Sequence, residues 1–197
     1  FPNLNELLAD ALSGYSAELN LDADGARAAM ADVLKGRYEA LLPEVRHDIL
    51  QAAFLDGSLA AVGAPAVLRK RLQILEKLAE DDAVIQTLTR PLNILAAARR
   101  KNELDNPAYS PERMGAEGKR LGEKIGSTDL PVMLIEEEVD RVVETVRALV
   151  EPINAFFDST MVMDEDLSKR SLNFGLLLEV ERQLVAVGDF TKVVIDG

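Results

Sequence analysis

Apolar residues recur at helical spacing through almost the whole chain, and no stretch shows the sustained period-two alternation of a half-buried strand. The clearest run is Val139, Val142, Val143, Val146, Leu149 and Val150, which follow the i, i+3, i+4, i+7 spacing of one helix face. Leu172, Leu176, Val180, Leu184 and Val187 make a second stripe, and Leu68, Leu72, Leu75 and Leu78 a third. Met30, Val33, Leu34, Tyr38 and Leu41 predict an earlier helix, and Ile49, Leu50, Ala53 and Phe54 a shorter one. Stripes of this kind need partners to cover them, so the pattern predicts an all-α helical bundle packed pairwise through these faces.

Start and stop residues set the expected boundaries. Asn3 or Asn5 suits the cap of a first helix reaching about Leu19, and Asp22 the cap of a second. Pro43 suits the first turn of a third helix, Gly57 and Gly63 punctuate, and Pro65 opens a fourth. Pro91 predicts a boundary or kink near Thr89-Arg90, because proline lacks the backbone donor a helix interior needs. Asn102 to Pro111 reads as a loop. Ser110-Pro111 reads as the cap and first position of a glycine-diluted helix to about Ile125, and Gly126 to Pro131 as a turn. Pro152 is expected to end the Val139 helix and open a short turn carrying Phe156 and Phe157. The chain reads as one helical domain over 1–197, with 1–101 and 110–197 as candidate subdomains joined by a loop near 102–110.

Composition narrows the chemistry. Of 197 residues, 48% are hydrophobic, enough for a sizeable core. With no cysteine, disulfides and thiolate-bound metals are excluded, and a reducing compartment is the expected setting. The chain starts at Phe1 and shows no signal or membrane-spanning run, so the expectation is a piece of a longer cytoplasmic protein. A formal charge of -12 argues against binding nucleic acid through bulk electrostatics. Basic residues nevertheless cluster at Arg69-Lys70-Arg71, Arg99-Arg100-Lys101, Lys119-Arg120 and Lys169-Arg170, which read either as solvated helix faces or as local phosphate contacts.

Candidate catalytic chemistry is sparse. His47-Asp48 has the look of a metal phosphohydrolase dipeptide, but that chemistry needs several histidines and the chain has one. Glu136-Glu137-Glu138 are consecutive, so on a helix they diverge and read as a solvated helix start. Asp164-Glu165-Asp166 reads as a first-turn acidic cluster. There is no glycine-rich phosphate loop, and no nucleophile with a matching base beyond one using His47. Phe156, Phe157, Met161 and Met163 read as core residues.

The run Glu151-Pro152-Ile153-Asn154-Ala155-Phe156-Phe157-Asp158-Ser159-Thr160-Met161-Val162-Met163, followed by acidic residues and a final helix closing in Gly188-Asp189-Phe190, resembles the C-terminal end of the bacterial glycyl-tRNA synthetase beta subunit. Arg90, Asn93, Ile94 and Leu95 match that family's K-R-V-x-N-I-L, with Thr89 and Pro91 departing from it. Arg37, Leu41 and His47-Asp48-Ile49 carry a looser third patch. The family's L-R-x-N-R-L-x-L-L is not cleanly kept over Leu167–Leu177, where the spacing differs. The resemblance implies an anticodon-binding-like helical domain whose partners are glycine tRNA and a catalytic alpha subunit, in an alpha2-beta2 enzyme. It implies no cofactor in this fragment, ATP and Mg being used by the parent, and no membrane partner. Its tRNA-binding candidates are Arg90, Asn93, Arg99, Arg100, Lys101, Lys169, Arg170 and Asn173. Glycine codons are GGN, so every glycine anticodon presents two cytosines, whose amino groups carboxylates or carbonyls accept. An arginyl-type anticodon domain and a helical protein-interaction module are the alternatives.

Overall fold

The computed structural model describes residues 4–14, 22–104 and 107–195. Ten α-helices follow one another among the described residues: α1 (Leu4–Ser13), α2 (Ala23–Leu41), α3 (His47–Phe54), α4 (Leu59–Val62), α5 (Pro65–Leu78), α6 (Asp82–Arg100), α7 (Ala116–Gly126), α8 (Leu130–Glu136), α9 (Val139–Ser159) and α10 (Leu167–Val187). Tight 3-10 turns cover Pro111–Arg113 and Phe190–Lys192, and no strand occurs among the described residues. Asn3 and the expected extension to Leu19 lie outside those residues, and Asn5 sits in the first turn of α1 rather than capping it.

Four of the five stripes read from the sequence are the core; the fifth, on α2, is not, since Val33 and Leu41 are exposed and Met30, Leu34 and Tyr38 only half-buried. Val142, Val146, Leu149, Ile153 and Phe156 of α9 are fully buried, as are Leu176, Val180, Leu184 and Val187 of α10 and Ile74, Leu75 and Leu78 of α5. One continuous apolar cluster runs from Ala31 to Val193. Short polar side chains start five of the ten helices by accepting the first free N–H groups. Asp22, Ser58, Asp81, Asp129 and Asp166 do so for α2, α4, α6, α8 and α10. The α8 start has a second acceptor from far away: buried Gln183 of α10 takes the Leu130 N–H at 2.8 Å.

Neither proline ends its helix as expected. Pro91 lies inside an unbroken α6 and Pro152 inside an unbroken α9, so Phe156 and Phe157 belong to a helix and not to a turn. An interior proline costs a helix about 3 kcal/mol, but both rings are buried and add apolar surface to the core. Pro43 precedes α3, which starts only at His47, and the short α4 was not foreseen. The helix expected from Ser110 to Ile125 is instead a 3-10 turn followed by a separate α7.

The glycines that dilute this region have a packing role. A Cβ on Gly122 would lie 2.5 Å from Pro111 Cβ, and one on Gly175 would lie 2.1 Å from the Ala108 carbonyl oxygen. Residues 107–114 therefore lie directly against α7 and α10. Ser171 holds the same crossing by accepting the Ala108 N–H at 3.0 Å.

The C-terminal segment straps α3. Lys192 donates to the carbonyls of Gln51 (3.3 Å) and Leu55 at the end of α3, where a cation meets the negative end of the helix. Asp48 accepts from the Val194 N–H at 2.7 Å and from Arg46, which also donates to the Val194 carbonyl. Asp48 of the His47-Asp48 pair thus contributes a clamp to the fold. Burial alone would raise the Asp48 carboxyl, but the Arg46 and Val194 hydrogen bonds outweigh it and hold the group below its usual value. Arg71 of the first basic cluster also turns inward, donating to Ala186 and Ala61 carbonyls at 2.9 and 3.1 Å.

Two expected outcomes follow from this packing. Gly175→Ala should destabilise the chain by about 1–3 kcal/mol, because the backbone it strikes cannot rotate away. Gly36→Ala, with nothing within 4 Å of the added carbon in α2, should stabilise by about 0.4–1 kcal/mol. Urea midpoints of the two variants decide this, and equal shifts in the same direction would contradict it. For Asp48, a lowered folded-state pKa means its contribution is present above the unfolded value of about 3.9 and is lost as pH falls through the folded value. Asp48→Asn should therefore lower the melting temperature at pH 6 and approach the parent chain as pH falls through the folded-state value. A constant gap across that range would show that the charge is not what matters.

Candidate nucleic-acid interface

The crossing of three long helices brings the predicted site residues towards one end of the bundle. Thr87 of α6 meets Asn154 of α9 at 3.2 Å, and Arg90 meets Phe157, so these two helices run side by side in the same direction. Helix α10 runs the other way along α6: Thr89 bonds the Phe190 carbonyl just beyond α10, Arg99 pairs with Glu181, and Glu103 lies 3.9 Å from Arg170. The C-terminal ends of α6 and α9, the N-terminal end of α10 and residues 107–114 therefore share one end.

Helix α6 stops there in an orderly way. Asn102 adopts φ +55°. Its N–H bonds the Arg99 carbonyl and the Glu103 N–H bonds the Ala98 carbonyl, the paired pattern that closes a helix on a left-handed residue. Arg99, Arg100 and Lys101 thus sit on the last turn, where cations complement the helix dipole.

The eight candidates fall into different environments. Exposed Arg90 lays its guanidinium 4.2 Å over the ring of Phe157, an attraction that fixes its plane while leaving its donors to solvent. Asn93 is exposed three residues further along the same face. Arg99 turns away to α10 and forms a two-pronged pair with Glu181, whose hydrogen bonds push the guanidinium above its ordinary value. Arg100 and Lys101 are exposed and carry no ion pair among the described residues. Lys169 lies 3.9 Å from Asp164, and Arg170 lies at the same distance from Glu103, both too long for hydrogen bonds. Asn173 is buried, and its amide donates to the carbonyls of Met161 and Val162 at 3.3 and 3.2 Å. It tethers the α9–α10 connection and presents little surface.

Met161 and Met163 correct another expectation. Val162 between them is buried, but Met161 is 72% and Met163 42% exposed. The chain leaves α9 extended at Thr160 and turns at Val162 and Met163, with Val162 inward and both methionines outward. Leu167, at the start of α10, is also 70% exposed, and Met161 lines the same hollow as Lys169. Phe156 and Phe157 are buried as expected. Two further residues at this end escaped the sequence reading. Arg113 lines a hollow of about 290 Å³ together with Lys169, Thr160 and Asp164. Tyr109, 45% exposed, lies on the strap over α10, where burial and the nearby Glu179 carboxylate raise its hydroxyl pKa. The density of Asn, Pro and Ser marked that strap as a loop, but only its landing on Gly175 brings it to α10.

No family model matches the chain. Over 98% of its length it is 26% identical to a protein of Lacticaseibacillus casei named glycine–tRNA ligase beta subunit, and 30% identical to one of that name from Moorella thermoacetica. A third of the same name, from Acinetobacter baumannii, is 28% identical over 94% of the chain. The chain spans only 27–28% of the length of these relatives. What it is similar to, along nearly all of its own length, is thus about a quarter of a glycine–tRNA ligase beta subunit.

Proposed function

We propose that this chain is the anticodon-binding-like part of a glycine–tRNA ligase beta subunit and holds the anticodon arm of glycine tRNA. ATP-dependent glycine activation then belongs to a catalytic alpha subunit, in an alpha2-beta2 cytoplasmic enzyme whose ATP and Mg are bound outside this fragment. The observation that carries the reading is the end-to-end similarity to proteins of that name, at a bundle end where basic residues from separated segments meet. No helix among the described residues is long and apolar enough to cross a membrane. The shared name also favours the glycyl reading over an arginyl-type domain.

An acidic chain can do this because reading single-stranded bases needs hydrogen-bonding edges and stacking surfaces more than bulk positive charge. Cations are needed only where phosphates pass. Arg100 and Lys101 suit that role, since neither must break an ion pair first. Arg90 suits it too, because its stacking on Phe157 holds the guanidinium in place with its donors outward. Arg99, tied to Glu181, contributes structure instead. A second reading, a protein-docking face, draws on exposed Ile135 and Val132 of α8 and on Met161, Met163 and Leu167.

The test is binding of a hairpin carrying the glycine anticodon loop, followed through a salt titration. Changing Arg100 and Lys101 together to Ala should weaken all hairpins alike. It should also flatten the slope of log affinity against log salt by about 0.7–0.9 per lost phosphate contact. If the parent chain, alone and within the assembled enzyme, bound glycine and non-glycine hairpins equally and the double variant changed neither, the docking reading would replace this one.

A further inference from the structure

An open hollow of about 530 Å³ lies at the other end of α10 from the candidate interface, between the end of α3, the short α4, α5 and the last turn of α10. Roughly 22 Å of helix separates its Val185 from Arg170. The volume falls within the range of ligand pockets. Exposed Val185 and Ala60 and half-buried Leu55 give it apolar walls. Leu55 is held there at φ 56° and ψ -119°, a left-handed conformation rare for a bulky side chain, with its carbonyl bonded by Lys192. Such strain persists only where the surroundings enforce it, and it gathers at ligand sites. Arg71 also lines the hollow, and its Nε and Nη1 donate to the Ala186 and Ala61 carbonyls. Its Nη2 makes no hydrogen bond and its guanidinium no ion pair among the described residues. Burial disfavours its charge and pulls its pKa down, against the attraction of Asp56.

We propose that this hollow docks a short uncharged segment of another protein, which sets a leucine-like side chain against Leu55, Ala60 and Val185 and offers a backbone carbonyl to Arg71. The walls select an apolar side chain, because its burial there removes both surfaces from water. The guanidinium selects an acceptor, since Nη2 carries donors that nothing described in the fold uses. The charge balance makes that acceptor a neutral one. Asp56 and Asp189 also line the hollow, and they offset Arg71 and Lys192, which lies 3.5 Å from Asp189. An incoming carboxylate would therefore meet two carboxylates, whereas a peptide carbonyl brings no charge. A second copy of this chain is a poor occupant, since each copy carries a formal charge of -12 and like charges repel. None of these residues belongs to the candidate RNA interface, so the proposal stands independently of that reading.

The experiment follows amide shifts by NMR as the capped dipeptide N-acetyl-leucyl-leucinamide is added, beside N-acetyl-glycyl-glycinamide and the free acid N-acetyl-leucyl-leucine. The leucine amide should give saturable shifts at residues 55–61 and 185–189 and at the Arg71 Nε–H. The glycine peptide should give none, and the free acid should bind more weakly than the amide. Val185→Glu puts a charge on the apolar wall at an exposed position. It should weaken the leucine amide by about tenfold or more while the melting temperature and hairpin binding hold. Arg71→Lys keeps the charge but loses the fork that serves two carbonyls and the ligand together, and should weaken it as well. Should Arg71→Lys lower the melting temperature, Val185→Glu decides alone. Tighter binding of the free acid would make this an anion site and overturn the proposal. Shifts scattered over the surface, no saturable shift, or unchanged affinity in Val185→Glu would overturn it too. Shifts at these residues that grow with protein concentration in the absence of peptide would give the face to a second copy and overturn the assigned partner.

Discussion

Everything at the candidate interface depends on how α10 packs. It is buried along most of its length, from Leu172 to Val187, and touches α5, α6, α7 and α8. Because it runs opposite to α6 and α9, the end of α6 shares one end of the bundle with the α9–α10 connection, which is far from it in the chain. Gly175 extends the same constraint to residues 107–114, since any side chain there would hold the Ala108 backbone off the helix. The position of Arg170, of the Met161–Met163 segment and of Tyr109 all follow from this one buried helix.

Where an element is decided by its own apolar face, the sequence was enough. The stripes of α5, α9 and α10 were legible residue by residue, as were the cap at Asp22 and the start at Pro65. Failures came where tertiary contacts overrule local preference. Pro91 and Pro152 ordinarily interrupt helices, and only burial of both rings explains why α6 and α9 continue through them. Met161 and Met163 looked like core because methionine usually is, but the turn at Val162 and Met163 keeps Val162 inward and both methionines outward. The glycines of α7 looked like weakness, and Gly122 is in fact the seat of Pro111. Of the site candidates, basic clusters were visible by composition, yet nothing local told that Arg99 and Arg71 are turned to protein partners while Arg100 is not. Nor does anything local tell that Glu103 lies 3.9 Å from Arg170, 67 residues away in sequence.

The acidic balance then has a physical sense. Several cations of this end are tied, wholly or loosely, to carboxylates: Arg99 to Glu181, Lys169 to Asp164 and Arg170 to Glu103. Such pairs suppress indiscriminate attraction to phosphate, which is the sequence-independent part of nucleic-acid binding. What remains is a few cations without ion pairs among the described residues, Arg100 and Lys101 among them, so that on the proposed reading affinity is traded for selectivity. On the proposed reading, RNA contacts made elsewhere in a larger protein would add to those of this segment.

The most direct test of this account is where RNA touches the chain. Hydrogen exchange should be followed with and without the glycine anticodon hairpin. The account predicts slowed exchange at residues 99–104, 107–114 and 161–171, with residues 130–136 of α8 unchanged. Protection centred on α8, or spread evenly over the bundle, would contradict it.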